Sequence, residues 1–130
     1  MYVGSQYKVD KVHMATGAAQ GVGGSVFASS NPMGVATNGT HLFVSQQTGS
    51  ISRVQAVNLV TQVVSHFAGS PGGSKGSSGD GGLATAALMF DPVHVAYDAI
   101  RKVVYIADAG NHKVRKVDQT TGIISTLAVS

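Results

Sequence analysis

Cysteine and tryptophan are both missing from this 130-residue chain, and charged residues make up only 12% of it. Without cysteine there is no disulfide framework, no thiolate zinc site and no cysteine nucleophile, and the redox compartment is left unassigned. The charge content is about half the roughly 25% of ordinary globular chains. With 43% of residues hydrophobic, the chain lies outside the disordered class, which combines low hydrophobicity with high charge. Nine Lys and Arg against six acids leave a net charge of +3, too small and scattered an excess to signal a nucleic-acid surface. Long hydrophobic runs are absent too. The first twenty residues carry Lys8, Asp10 and Lys11 and hold no apolar stretch fit for a signal-peptide core, and nothing later approaches a membrane span. The chain reads as soluble, with its localisation unknown.

What is present is glycine, at 17 residues, and repetition. The stretch "NPMGVATNGTHLFVSQQTGSISRVQAVNLVTQVVSHFAG" (Asn31 to Gly69) aligns with "DPVHVAYDAIRKVVYIADAGNHKVRKVDQTTGIISTLA" (Asp91 to Ala128). Pro32 meets Pro92, Leu42-Phe43-Val44 meets Val104-Tyr105-Ile106, Arg53-Val54 meets Lys116-Val117, and Val63-Val64 meets Ile123-Ile124. The period is about sixty residues, in the range of repeat architectures. An opening copy extends the register backwards: Met1-Tyr2-Val3 matches Val104-Tyr105-Ile106, and Lys8-Val9, Lys11-Val12 and Thr16-Gly17 match Lys113-Val114, Lys116-Val117 and Thr121-Gly122.

Each full copy holds four short runs rich in Val, Ile, Tyr, Phe and Thr between turn residues, the signature of strands. Asn38-Gly39 predicts a type I′ hairpin turn with positive φ at both residues. Only "LATAALMF" (Leu83 to Phe90) suggests helix, and then for one or two turns. In "KVRKV" alternation puts Val114 with Lys116 on one face and Arg115 with Val117 on the other. Neither face is cleanly polar, which suits a sheet packed between neighbours with Lys and Arg heads reaching water. Val114→Asp is then expected to place an unpaired charge between sheets, and Gly73→Ala to matter little. The fold class expected is all-β: tandem four-stranded antiparallel blades of a β-propeller, an incomplete ring. A two-sheet sandwich is the rival and gives no reason for such a repeat. The single partial propeller divides into an incomplete first blade over 1–30 (strands 2 to 4), a second blade over 31–69, a Gly/Ser-rich inter-blade loop over 70–90 and a third blade over 91–130. About eleven strands are too few for a closed ring, so apolar surface is expected at both ends.

The segment "GDGGLATAALMFDPVHVAYDAIRKVVYIADAGNHKVRKVDQTTGIISTLA" (Gly79 to Ala128) resembles the NHL-repeat β-propellers in its Gly-Asp-Gly-Gly loop, Val-Tyr-Ile-Ala-Asp run, Gly-Asn-His turn, Val-Arg-Lys-Val strand and Thr-Gly-x-Ile close. The resemblance implies a ring-forming interaction platform. The chain departs from the pattern at His94, where the family has the glycine kept as Gly34, and at Gln46-Gln47-Thr48-Gly49, which replaces an Asp-x-Gly-Asn loop. The shared polar network it implies is then limited to Asp108 to His112.

Several strings that suggest chemistry lack its context. The tract "AGSPGGSKGSSGDGG" (Ala68 to Gly82) has no G-x-x-x-x-G-K-[ST] frame for phosphate, and its G-x-S-x-G at Gly72 to Gly76 has no strand-to-helix elbow. It reads as a flexible crossover. Asp80 lacks the further oxygen ligands calcium needs and reads as a turn aspartate accepting backbone N–H groups. His13, His41, His66, His94 and His112 share no metal-ligand spacing; no metal, cofactor or catalytic residue is assigned. Asn38-Gly39-Thr40 is a sequon that the hairpin turn already explains.

The binding candidates are rim-loop residues Asp108, Asn111, His112, Lys113 and Arg115, with Gln46 and Gln47, and His94 on the first strand of its copy as a channel candidate. The expected function is a non-catalytic interaction or scaffold module binding a protein or other ligand through these loops. The alternatives are a metal-assisted hydrolase or lyase using the channel of a completed ring, and RNA binding through a basic rim of Lys113, Arg115 and Lys116. The expected partner is a protein, with self-association to complete the ring a further possibility and no membrane.

Overall fold

Among the described residues, the valine-rich runs and the turn residues between them produce eleven strands. The computed structural model describes side chains over residues 34–47, 51–70, 72 and 74–129, and strand backbone in addition over 2–5, 8–12, 19–22 and 31–33. The strands are β1 Tyr2–Ser5, β2 Lys8–Val12, β3 Ala19–Val22, β4 Asn31–Thr37, β5 His41–Gln47, β6 Ser52–Asn58, β7 Val64–Gly69, β8 Pro92–Asp98, β9 Val103–Asp108, β10 Lys113–Asp118 and β11 Ile124–Val129. They form three antiparallel meanders in chain order: β1 to β3, β4 to β7 and β8 to β11. Among the described residues there is no α-helix. The helical turns expected in Leu83 to Phe90 amount to a single 3-10 turn at Ala84–Ala86.

One local device closes four of the turns in the two larger sheets. The carboxamide or carboxylate oxygen of Asn38, Asn58, Asp98 or Asp118 accepts two backbone N–H groups two and three residues on. A short acceptor side chain that bonds its own backbone in this way bends the chain where it stands. This corrects the type I′ expectation at Asn38-Gly39, because only Gly39 (φ 96°) of the pair has positive φ. The Thr121-Gly122 turn stands as expected, with Gly122 at φ 75°; its counterpart Gln62 is forced to φ 64° without being glycine. The Thr16-Gly17 turn, His13 and Gly73 lie outside the described residues.

The strand register corrects one part of the repeat alignment. Val44 pairs with Gln55 and Leu42 with Val57, whereas Ile106 pairs with Arg115 and Val104 with Val117. Arg53-Val54 therefore corresponds to Lys113-Val114, three residues from the match the sequence suggested, and Gln55 corresponds to Arg115. Gly34 against Ser45 and His94 against Ala107 keep their proposed equivalence, as do Val64 and Ile124.

The main core lies between the second and third sheets, where Phe43, Val54, Ala56 and Ala68 meet Val95, Val104, Ile106, Val117 and Ile124. Ala84, Ala87 and Met89, from the segment leading into β8, fill the same layer. Leu42, Val44 and Val57 are buried on the opposite face of the second sheet, and the first sheet approaches that sheet along β4. Val114 is not in the core. It stands half-buried on the face of the third sheet turned away from the second, so the expectation that Val114→Asp puts a charge between two sheets of this chain is withdrawn.

β4 and β8 pack closely against each other. A methyl group on Gly34 would stand 2.8 Å from His94 Cα and 2.8 Å from the Val93 carbonyl oxygen, both backbone atoms. Gly34→Ala is therefore expected to cost about 1–3 kcal/mol by overpacking, read as a lower urea midpoint with unchanged slope. Gln62→Gly is expected to be neutral or to stabilise by up to about 1 kcal/mol, since it removes a side chain from a left-handed position. Full stability in Gly34→Ala would refute the close approach of the two sheets.

Candidate functional site

Among the polar residues of the third sheet, Arg115 has no exposed surface, which corrects the expectation that its head reaches water. Alternation along β10 turns it to the same face as Val117, into the core. A buried guanidinium must find acceptors for its fixed fork of donors. Arg115 donates to the Leu88 carbonyl at 2.5 Å, to the Ser78 carbonyl at 3.2 Å and to Asp80 Oδ1 at 2.9 Å. Asp108 Oδ2 lies 3.5 Å away, also with no exposed surface.

Each acid has a second task. Asp108 Oδ1 accepts the Phe90 amide at 2.7 Å, and its Oδ2 accepts Asn111 Nδ2, which also donates to the Gly76 carbonyl at 2.7 Å. Asp80 Oδ2 accepts the Thr126 hydroxyl. Asp80 thus binds side chains of β10 and β11, in place of the backbone turn contacts expected from its sequence context. Burial pushes its carboxyl up, but hydrogen bonds from Thr126 and Arg115 and the charges of Arg115 and Lys113 outweigh this and hold it below the ordinary carboxylate range.

The Gly/Ser segment is tied down by these contacts. Lys75 Nζ meets Asp91 Oδ1 at 2.7 Å and lies 4.7 Å from the centre of the Phe90 ring. Gly76 N donates to the Met89 carbonyl. Gly110 lets the backbone pass directly under Phe90, where any Cβ would collide with the ring. The tract expected to be a flexible crossover is, in its described residues, a bonded part of the sheet joint.

The second sheet solves the equivalent position without buried acids. Gln46 stands where Asp108 does and Gln55 where Arg115 does. Arg53 Nε donates to Gln46 Oε1 at 2.8 Å, and Gln55, with its amide oxygen toward the guanidinium, accepts from Arg53 at 2.9 Å. Burial lowers the pKa of Arg53. Gln47 is half-buried at the end of β5, in register with Asn31 and Ser52.

The rim candidates therefore divide. Asp108, Asn111 and Arg115 form one internal brace. His112 is exposed in a left-handed conformation (φ 55°) that ends a 3-10 turn over Ala109–Asn111. His112 and Lys113 line a shallow depression of ≈ 340 Å³ with Ala109, Val114, Ala128 and Val129. Gln46 belongs to the separate network of the second sheet. His94 is exposed on β8, opposite Ala107, and joins neither group. His66 Nε2 faces the Gly69 and Thr85 carbonyl oxygens. Among the described residues no three His, Asp or Glu side chains converge as a metal site, and no helix is long and apolar enough to cross a membrane. The 3.6-residue and motif signals searched in the sequence had no means of finding Asp80 and Leu88 as partners of Arg115, or Thr126 as a partner of Asp80, because those contacts span 27 to 46 positions.

No family model and no curated protein matches the chain.

Asp80 gives the brace a pH dependence. A carboxyl whose folded-state pKa is depressed contributes stability that is complete above its unfolded value of about 4 and is lost as pH falls through the folded value. Asp80→Asn is expected to cost about 0.5–1.5 kcal/mol at pH 7, a loss trimmed by solvent screening because 37% of the Asp80 side chain is exposed, and to flatten the fall of stability below about pH 4. Urea titrations at pH 7, 4 and 3 check both; an acid slope identical to that of the unsubstituted chain would exclude Asp80 as the titrating group.

Proposed function

We propose that the three sheets are consecutive blades of an NHL-type β-propeller, an incomplete ring in this chain, and that the module is non-catalytic and binds a protein through the rim turn at 109–113. The meanders in chain order and the sixty-residue repeat support the blade reading. One observation carries the binding reading: the exposed His112 and the half-buried Lys113 border a depression with an apolar floor, on a turn braced from beneath by Asp108, Asn111 and Arg115. A rigid scaffold presenting a few polar groups beside apolar surface is the usual form of a binding rim. The basic pair favours a peptide segment with an acidic residue beside an apolar one. Burial of Arg115 removes it from the basic rim, which weakens the RNA reading, and among the described residues no metal-binding group forms around His94 to support hydrolase or lyase chemistry.

Peptides selected by display on the immobilised chain test the proposal, with affinity measured by fluorescence anisotropy. Lys113→Glu is expected to weaken a selected acidic peptide about tenfold, or about 1.4 kcal/mol, with an unchanged circular dichroism spectrum and a small fall in melting temperature, because the new charge opposes Asp80. Gln47→Ala is expected to leave affinity unchanged. Selected peptides indifferent to Lys113→Glu would overturn the assignment of the rim.

A further inference from the structure

The turn between β4 and β5 differs in chemistry from its counterpart between β8 and β9. Asn38 Oδ1 accepts the Thr40 N–H at 3.0 Å, the Thr40 hydroxyl at 3.0 Å and the His41 N–H at 2.8 Å. His41 Nδ1 lies 3.0 Å from that hydroxyl. Three donors on one amide oxygen draw electron density from Asn38 Cγ, and they stand ready for a negative charge that develops on the oxygen. The Asn38 amide nitrogen has no bonded partner among the described residues.

The nucleophile within reach of Cγ is the Gly39 nitrogen, which closes a five-membered ring by attacking it. Gly39 is exposed, and its N–H is oriented by Thr37 Oγ1 at 3.0 Å. A Cβ built on Gly39 would meet no atom within 4 Å. Neither a side chain of its own nor a neighbour crowds this dipeptide.

Each of the other asparagines lacks one of these conditions. Asn31 precedes Pro32, which has no N–H to give up. Asn58 precedes Leu59, a bulky residue whose N–H is engaged by the Thr40 carbonyl at 3.0 Å. Asn111 has its amide nitrogen tied to the Gly76 carbonyl and to Asp108.

The turn also suits the product. Asp98 holds the position of Asn38 in the third sheet, and its Oδ1 accepts the Ile100 and Arg101 N–H groups at 3.0 Å each. Hydrogen bonds from the Arg101 backbone and side chain, and then from Ile100, hold its carboxyl below the ordinary carboxylate range. A carboxylate fits this turn as a carboxamide does.

We propose that Asn38 is a site of self-modification, at which the folded turn promotes deamidation of the side chain to a carboxylate. Base removes the Gly39 N–H proton as the nitrogen bonds to Asn38 Cγ. The bond from Cγ to the side-chain nitrogen then breaks, and that nitrogen takes a proton from water and leaves as ammonia. Water opens the resulting cyclic imide. Cleavage at Cγ gives an ordinary aspartate, whereas cleavage at the main-chain carbonyl gives an isoaspartyl link that lengthens the backbone by a methylene and breaks the spacing of the turn. Nothing is oxidised or reduced, and the net charge of +3 falls by one. The proposal uses neither the rim turn at 109–113 nor the blade reading.

Incubation of the intact chain at mildly alkaline pH is the test, followed by peptide mapping with mass spectrometry that separates the two isomers. Conversion is expected at Asn38 and not at Asn58 or Asn111, at a rate at least equal to that of the same chain unfolded in urea. Thr40→Val keeps the branched shape, removes one donor from Asn38 Oδ1 and is expected to slow conversion of the folded chain about threefold or more, with no effect in urea. Circular dichroism checks that it folds, and the comparison of folded with unfolded unsubstituted chain does not depend on it. Asn38→Asp is expected to fold as the unsubstituted chain does. An Asn38 that converts in urea and persists in the folded chain, a folded Thr40→Val that converts at the unsubstituted rate, or conversion shared equally with Asn58 would each overturn the proposal, and an Asn38→Asp that fails to fold would overturn the fit of the product.

Discussion

A guanidinium with no exposed surface holds the third sheet to what precedes it. Arg115 is the largest fully buried side chain described, and its partners come from two stretches distant in sequence, Ser78 with Asp80 and Leu88, and from Asp108 on the adjoining strand. Burying such a charge is unfavourable unless every neighbour is arranged to receive it, and removing one member of a buried pair typically costs about 3–5 kcal/mol. The arrangement is therefore all or nothing. With the two terminal nitrogens of Arg115 bonded in this way, the Gly/Ser segment is drawn onto the sheet, Met89 and Ala87 enter the core, and the turn carrying His112 is fixed from below.

The second sheet shows that the position does not demand ions. Gln46 and Gln55 replace Asp108 and Arg115, and the cation shifts to Arg53, two residues earlier on the same strand. Amides desolvate at lower cost than ions and accept and donate at once. The same backbone thus accommodates a neutral pair with an external guanidinium or a charged pair with bonded loops. The difference follows from what each sheet receives: the third has a long lead-in rich in carbonyl acceptors, supplied by Ser78 and Leu88, for a buried guanidinium to tie.

Much of the fold was legible in the residues. Alternation in "KVRKV" placed Val114 and Lys116 opposite Arg115 and Val117, and the Val/Ile runs gave strands that the structure contains. The Asx residues at the turns carried a local signal that does not depend on partners. What was illegible is non-local. The offset of Arg53-Val54 by three positions is a matter of strand register, which similarity of letters does not report. The burial of Arg115 was missed because an arginine in an alternating strand suggests a snorkelling side chain; only the return of Asp80 and Leu88 to the same place, through a segment whose composition suggests a linker, reveals the pocket that receives it. Of the rim candidates, sequence identified the right turn and could not separate the residues that brace it from those that face outward.

The lead-in from Lys75 to Phe90 carries a consequence for the architecture as a whole. Its Ala84, Ala87 and Met89 occupy the layer between two sheets, so their volumes act as a gauge that sets how far apart and at what tilt the sheets stand. The inherited unit is then the sheet together with its lead-in, and the sixty-residue period counts both. Copies of such a unit with different lead-ins would curve by different amounts, so the curvature of the array is written in the residues that make no strand.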